Sequence, residues 1–119
     1  MRILVVDDSK AMRMIVSRAV RQTGVATGTI SECENGREAL DFLRTTRPSL
    51  VLSDWNMPEM TGIELLQALR AEGNDVPFGF VTSESTESMR STAEAAGAAF
   101  LIAKPFTREA FEEHLGSFV

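Results

Sequence analysis

Residues 51–60, VLSDWNMPEM, decide how this chain is read. Leu50, Val51 and Leu52 have the unbroken apolar character of a strand buried on both faces. Two residues later comes a carboxylate, Asp54, and then a turn through Trp55, Asn56, Met57 and Pro58. An ionised carboxylate taken out of water costs free energy unless something pairs with it. The partner that Asp54 meets at the end of the strand must come from elsewhere in the chain.

The same pattern recurs on both sides. Residues 2–6, RILVV, read as a buried strand that ends in Asp7-Asp8. Met12, Ile15, Val16, Ala19 and Val20 then fall at helical spacing, and Gly24 stops the helix. Residues 27–33 form a weaker strand with Ile30 and Cys33. ENGREALDFLRTTRP, from Glu34, reads as a helix capped by Asn35, with Glu38 three positions on and Ala39, Leu40 and Leu43 inward. Thr61 and Glu64 make a capping-box pattern at the head of a helix whose inner face is Ile63, Leu66 and Leu69. Residues 77–82, PFGFVT, are a fourth strand. Residues 85–96 are helical in composition, with only Met89, Ala93 and Ala96 as apolar groups. Residues 99–103, AFLIA, are a fifth strand ending at Lys104-Pro105, and Thr107 caps a last helix with Ala110, Phe111, Leu115 and Phe118 inward.

Five strands alternating with five helices predict parallel strands with helical crossovers on both faces. The expected fold is α/β, a flavodoxin-like (βα)5 three-layer sandwich with its five-stranded parallel sheet in the order 2-1-3-4-5. The second strand ends on Cys33-Glu34 and offers no comparable polar group, as befits an outer strand. Residues 1–119 are expected to form one domain, a usual length for one.

Bulk composition narrows the function. The chain is 44% hydrophobic and 24% charged, ordinary for a globular protein, and its net charge is −5. That balance argues against nucleic acid and anionic membranes as partners. One cysteine, Cys33, cannot form an internal disulfide, which fits a reducing, cytoplasmic location. The opening MRILVVDDSK reaches two aspartates by residue 8, which is unlike a signal peptide. With His114 the only histidine and Cys33 the only cysteine, zinc sites and a Ser-His-Asp triad are discounted. His114 reads as a solvated residue of the last helix, and Cys33 as a small buried apolar group. Met57 and Met60 read as cushions for the loop after Asp54.

In a parallel sheet the ends of the strands share one edge, where such folds bind ligands. Asp7, Asp8, Asp54, Thr82 and Lys104 therefore converge. Each alone is unremarkable: a strand-end hydroxyl, or a lysine before a turn proline. Together they define a site. Crowded carboxylates repel one another. Mg²⁺, which takes oxygen ligands, relieves this. Three aspartates, one Mg²⁺ and Lys104 sum to zero charge. A carboxylate in such a place can also act as a nucleophile and form an aspartyl phosphate.

DD at 7–8, Asp54 within DWNMP, Thr82 and KPF at 104–106 together resemble the receiver domain of two-component response regulators, over the whole chain. The likeness is to the single-domain, chemotaxis type. It implies that Asp54 accepts a phosphoryl group from a histidine kinase or a phosphotransfer protein. It implies Mg²⁺ ligation by Asp8, Asp54 and the backbone carbonyl of Asn56, with Asp7 supporting the metal through water. It implies that Thr82 and Lys104 contact the phosphoryl group, and that the Lys104-Pro105 bond is cis. Asn56 and Glu84 match the chemotaxis type at two variable positions beside the site. Output is then expected by docking of a target protein on about residues 85–119, from a monomer or weak dimer. No free metabolite is converted; the chain catalyses only its own phosphorylation and dephosphorylation.

One position departs from the pattern. The chemotaxis type has an aromatic residue three before the lysine; here it is Leu101, with Phe100 beside it. Two routes from site to surface stay open: repacking of Leu101, or movement of the small polar loop 83–88, SESTES. Three rival readings are weighed against the switch. An aspartate-nucleophile phosphohydrolase usually has a second carboxylate two residues after the nucleophile, where this chain has Asn56, and a cap domain. A flavodoxin-like electron carrier needs a phosphate loop where Asp7 and Asp8 stand. A phosphate-independent scaffold has no need of the intact acceptor and lysine.

Overall fold

Alternate residues of each strand face opposite layers of helix, and this alternation builds the molecule. The computed structural model describes residues 2–24 and 28–116. Its elements run β1 (Ile3–Val6), α1 (Lys10–Gln22), β2 (Ile30–Cys33), α2 (Gly36–Thr45), β3 (Leu50–Ser53), α3 (Gly62–Ala71), β4 (Phe78–Thr82), α4 (Glu87–Ala95), β5 (Phe100–Ala103) and α5 (Arg108–Leu115). All strand pairs are parallel, and the order is β2-β1-β3-β4-β5. The fold expected from the sequence is the one observed.

Leu4, Val6, Val51, Phe78, Phe80 and Leu101 face one layer, where they meet Leu40 and Leu43 of α2, Leu65, Leu66 and Leu69 of α3 and Ala93 of α4. Ile3, Val5, Leu50, Leu52, Val81 and Ile102 face the other, against Val16, Ala19 and Val20 of α1 and Phe111 and Leu115 of α5. Burial on both faces is why the strands read as continuous apolar runs. Helix starts are fixed by side chains that accept the free N–H groups of the first turn. Ser9, Asn35, Thr61, Thr86 and Thr107 each do this, and Thr61 with Glu64 completes the capping box.

Several expectations need correction. Ile15 was expected on the inner face of α1, yet it is 49% exposed, beside Met14 at 54%. The helix rests on a narrow stripe centred on Val16, and Ile15 falls at its rim. The inner face of α3 also includes Leu65, while Ile63 is only half-buried. His114 is not freely solvated: it is half-buried and stacks on Phe100, ring centroids 4.9 Å apart. Phe118 and the predicted start of the second strand at residue 27 lie outside the described residues.

Phe100 also explains a glycine. Gly79 of β4 lies opposite Phe100 of β5 in the sheet register. A Cβ at Gly79 would come within 2.2 Å of the Phe100 ring. The ring therefore occupies the space that a side chain on β4 would need. Gly79→Ala is expected to lower stability by about 1–3 kcal/mol through overpacking. In a Phe100→Ala background the same change should cost clearly less, a coupling that urea unfolding of the four variants would measure.

Candidate functional site

The polar groups sit just beyond the last residue of each strand, held there by continuation of the ladder. Val6 pairs with Ser53 in register, and the next amide, Asp54 N–H, donates to Val6 O at 2.9 Å. Lys104 N–H likewise donates to Thr82 O at 2.7 Å. Asp7 N–H donates to Cys33 O at 3.1 Å. Side chains at these positions project from the carboxyl edge of the sheet.

Carboxylate oxygens of Asp7, Asp8 and Asp54 all lie within 4.8 Å of one another. Lys104 Nζ reaches into the group, 3.2 Å from Asp7 Oδ2 and 3.8 Å from Asp54 Oδ1. Counting three carboxylates and one ammonium leaves the group at −2. The three acids differ in what already holds them. Asp7 is buried and engaged at both oxygens: Oδ1 accepts from Ser9 N–H at 2.9 Å and Oδ2 from Lys104. Asp54 accepts from Trp55 N–H at 2.8 Å through Oδ1, while Oδ2 accepts no hydrogen bond among the described residues. Asp8 is exposed and its carboxylate has no protein partner among them.

Burial pushes the Asp54 carboxyl above its usual range; Lys104 opposes this, and the nearby Asp7 and Asp8 charges add to it. The thiol of Cys33 is pushed up to about 12, mainly by burial and then by Glu38, so it stays protonated.

The loop after Asp54 folds back over it. Trp55 O accepts from Gly62 N–H at 2.8 Å. A Cβ at Gly62 would meet Asp54 O at 2.1 Å and the Phe80 ring at 2.9 Å, so only glycine lets the loop close here. Trp55 is half-buried against Phe80, with ring centroids 4.7 Å apart. Met57 is buried, and Met60 packs on the same core, so both cushion the loop as expected. Asn56 is exposed on the loop, two residues from Asp54. Thr82 is fully buried at the end of β4, its Oγ1 accepting from Glu84 N–H at 3.3 Å. The Lys104-Pro105 bond is cis.

Sequence reasoning missed Arg13. Its Nη1 donates to the backbone carbonyl of Asp7 at 2.7 Å, and its Nε pairs with Glu32 at 2.9 Å. Arg13 thus ties the end of β1 to the edge strand β2. The only signal in the sequence was a cation one turn into the helix that follows the paired acids. The departure at Leu101 also gains a geometry. Leu101 is buried in the α2–α4 layer, whereas Phe100 faces the α1/α5 layer over Gly79. Phe100 therefore does not stand in for an aromatic on the α4 side.

Known proteins match nearly the whole chain. A family model described as the response regulator receiver domain matches residues 3–116. A chemotaxis protein CheY homolog of Campylobacter jejuni is 42% identical over 118 residues, covering 97% of this chain and 89% of the relative. The chemotaxis protein CheY4 of Vibrio cholerae superposes with a TM-score of 0.86 at 31% identity, covering 99% of this chain and 98% of that one. The receiver domain of a signal transduction histidine kinase from Syntrophus aciditrophicus gives a TM-score of 0.83 at 29% identity, with 98% and 88% covered.

The raised Asp54 carboxyl predicts a pH dependence. The folded state holds this proton more tightly than the unfolded chain, whose carboxyl titrates near 3.8. Stability is therefore lost as pH rises from about that value through the raised folded one. Without divalent cations, Asp54→Asn should be more stable than the parent at neutral pH. The advantage should vanish below the unfolded value, as urea unfolding across pH would show.

Proposed function

The chain belongs to the response regulator receiver domain family of two-component systems, and on that premise we propose that Asp54 takes a phosphoryl group in a Mg²⁺-dependent transfer that switches a docking surface. The observation that carries this reading is the cluster of Asp7, Asp8 and Asp54 oxygens within 4.8 Å, with Lys104 3.8 Å from Asp54. Family members of the CheY type are signalling proteins rather than metabolic enzymes; here the chain's own catalysis is confined to its phosphorylation and dephosphorylation.

The donor set suits Mg²⁺: hard, anionic oxygens close together, with a net charge that a divalent cation cancels. Asp8 and Asp54 would hold it, with the backbone carbonyl of Asn56. Asp7, already bonded at both oxygens, would support it through water. When bound, Mg²⁺ supplies charge neutralisation at the transferring phosphoryl oxygens.

The chain's own groups do the rest. Asp54 Oδ2 attacks phosphorus, the P–N bond of a phosphohistidine breaks, and the imidazole nitrogen leaves with the electron pair. Trp55 N–H, bonded to Oδ1, helps to hold the carboxylate and leaves Oδ2 without a hydrogen bond among the described residues. Lys104 is placed to pair with the phosphoryl oxygens, trading part of its contact with Asp7 for them. The Thr82 hydroxyl, at the end of the neighbouring strand, donates to another. Asn56 in place of a second carboxylate leaves no acid/base group two residues after the acceptor, against the phosphohydrolase reading.

The donor is a histidine kinase or phosphotransfer protein, and the output a target protein docking across α4, β5 and α5. A donor charged from ATP puts the reaction in the cytoplasm. The shape of the surface agrees: Arg90, Phe100, Leu101, Phe106 and His114 line a shallow groove along the outer edge of β5. Among the described residues, no helix is long and apolar enough to cross a membrane.

Incubation with Mg²⁺ and acetyl phosphate should add the mass of one phosphoryl group, located on Asp54 by peptide mapping. EDTA or Asp54→Asn should abolish it, and Lys104→Met should slow it by about 10²–10³-fold. An unmodified chain, or modification that survives Asp54→Asn, would leave only the scaffold reading.

A further inference from the structure

Helix α4 is fastened at one end only. Its sole buried residue is Ala93, in the last turn, while residues 83–88 at the approach to its N-terminus are all exposed. The N-terminal side is joined to the site by one long hydrogen bond, Glu84 N–H to Thr82 Oγ1 at 3.3 Å. The C-terminal side is held far more firmly. Ala98 N–H donates to Ala93 O at 2.9 Å and Ala99 N–H to Phe78 O at 2.7 Å.

Arg70, at the end of α3, adds the decisive tie. Its Nη1 donates to Asn74 O at 2.9 Å and Val76 O at 3.0 Å, and its Nη2 to Gly97 O at 3.0 Å. One guanidinium thus joins the α3–β4 connection to the turn after α4. Among the described residues it makes no ion pair, and its three hydrogen bonds all go to backbone carbonyls. A planar fork suits this; a lysine ammonium could not reach three carbonyls in the same geometry.

We propose that Arg70 is a positioning residue of the switch, pinning the C-terminal end of α4 so that a change at Thr82 swings the helix from its N-terminal end. The inference rests on the Asp54 reading for its trigger. When the Thr82 hydroxyl turns to a phosphoryl oxygen, the Glu84 amide loses its acceptor. The helix, about 13 Å long at its nine residues, then pivots about Gly97. Movement is largest beside the site and smallest beside the turn. Without Arg70 the same trigger would loosen the whole helix, and the change at the docking surface would lose its direction.

The test is hydrogen exchange by mass spectrometry on the wild type, Arg70→Gln and Arg70→Lys, with Mg²⁺ and with or without beryllofluoride. In the wild type, exchange should change across 84–91 and stay constant across 96–99. In Arg70→Gln, residues 96–99 should exchange at least about tenfold faster and should also respond to beryllofluoride. Arg70→Lys should fall between. A merely structural arginine would raise exchange without altering where the response falls. A wild-type response that includes 96–99, or protection of 96–99 unchanged in Arg70→Gln, overturns the proposal. Thr82→Val, which removes the acceptor without phosphoryl chemistry, separates the two claims. If beryllofluoride has no effect but Thr82→Val loosens 84–91 alone, the pivot stands and the Asp54 reading fails. If Thr82→Val loosens 84–91 and 96–99 alike, the pivot is wrong.

Discussion

Everything at the carboxyl edge of this sheet depends on one ammonium group among three carboxylates. Lys104 touches Asp7 at 3.2 Å and lies 3.8 Å from Asp54, which makes the cluster tolerable without making it neutral. Asp7 is buried, Asp54 half-buried and Asp8 exposed, and the repulsion among them is offset in part by the ammonium. The ladder bond from Lys104 N–H to Thr82 O holds the lysine backbone at the end of β5. The residual negative charge is what a divalent cation would answer.

The same constraint explains how far the sequence could be read. Apolar runs that end abruptly on Asp7, Asp54, Thr82 and Lys104 betrayed both the strands and the site, because burial on two faces leaves no place for charge except the ends. Capping was legible for the same local reason: Asn35, Thr61 and Thr107 bond to amides three residues away. What escaped was tertiary. Ile15 has helical spacing, but how far α1 is covered by its neighbours is not written in α1. Leu65 and His114 were misjudged for the same reason, since each is settled by an element distant in sequence. Arg13 and Arg70 were invisible because their acceptors are backbone carbonyls, which every residue has.

The two layers of helix are unequal in firmness. α2 and α3 press broad leucine faces onto the sheet, and α1 and α5 pack against each other beneath it. α4 contributes one buried alanine. A helix so lightly held is suited to change position at small energetic cost, and it borders the groove along β5. Leu101, already buried, and Phe100, locked over Gly79 on the opposite layer, leave backbone movement around α4 as the route that the packing favours.

The most direct test of the account is a Mg²⁺ titration followed by Trp55 fluorescence, in the wild type and in Asp8→Asn. Trp55 is the only tryptophan, and its amide is bonded to Asp54, so the signal has one source. The wild type should show a saturable change that monovalent salt does not reproduce, with affinity at least about tenfold weaker in Asp8→Asn. A flat titration, or identical curves for the two proteins, would contradict the claim that these carboxylates form a divalent-cation site.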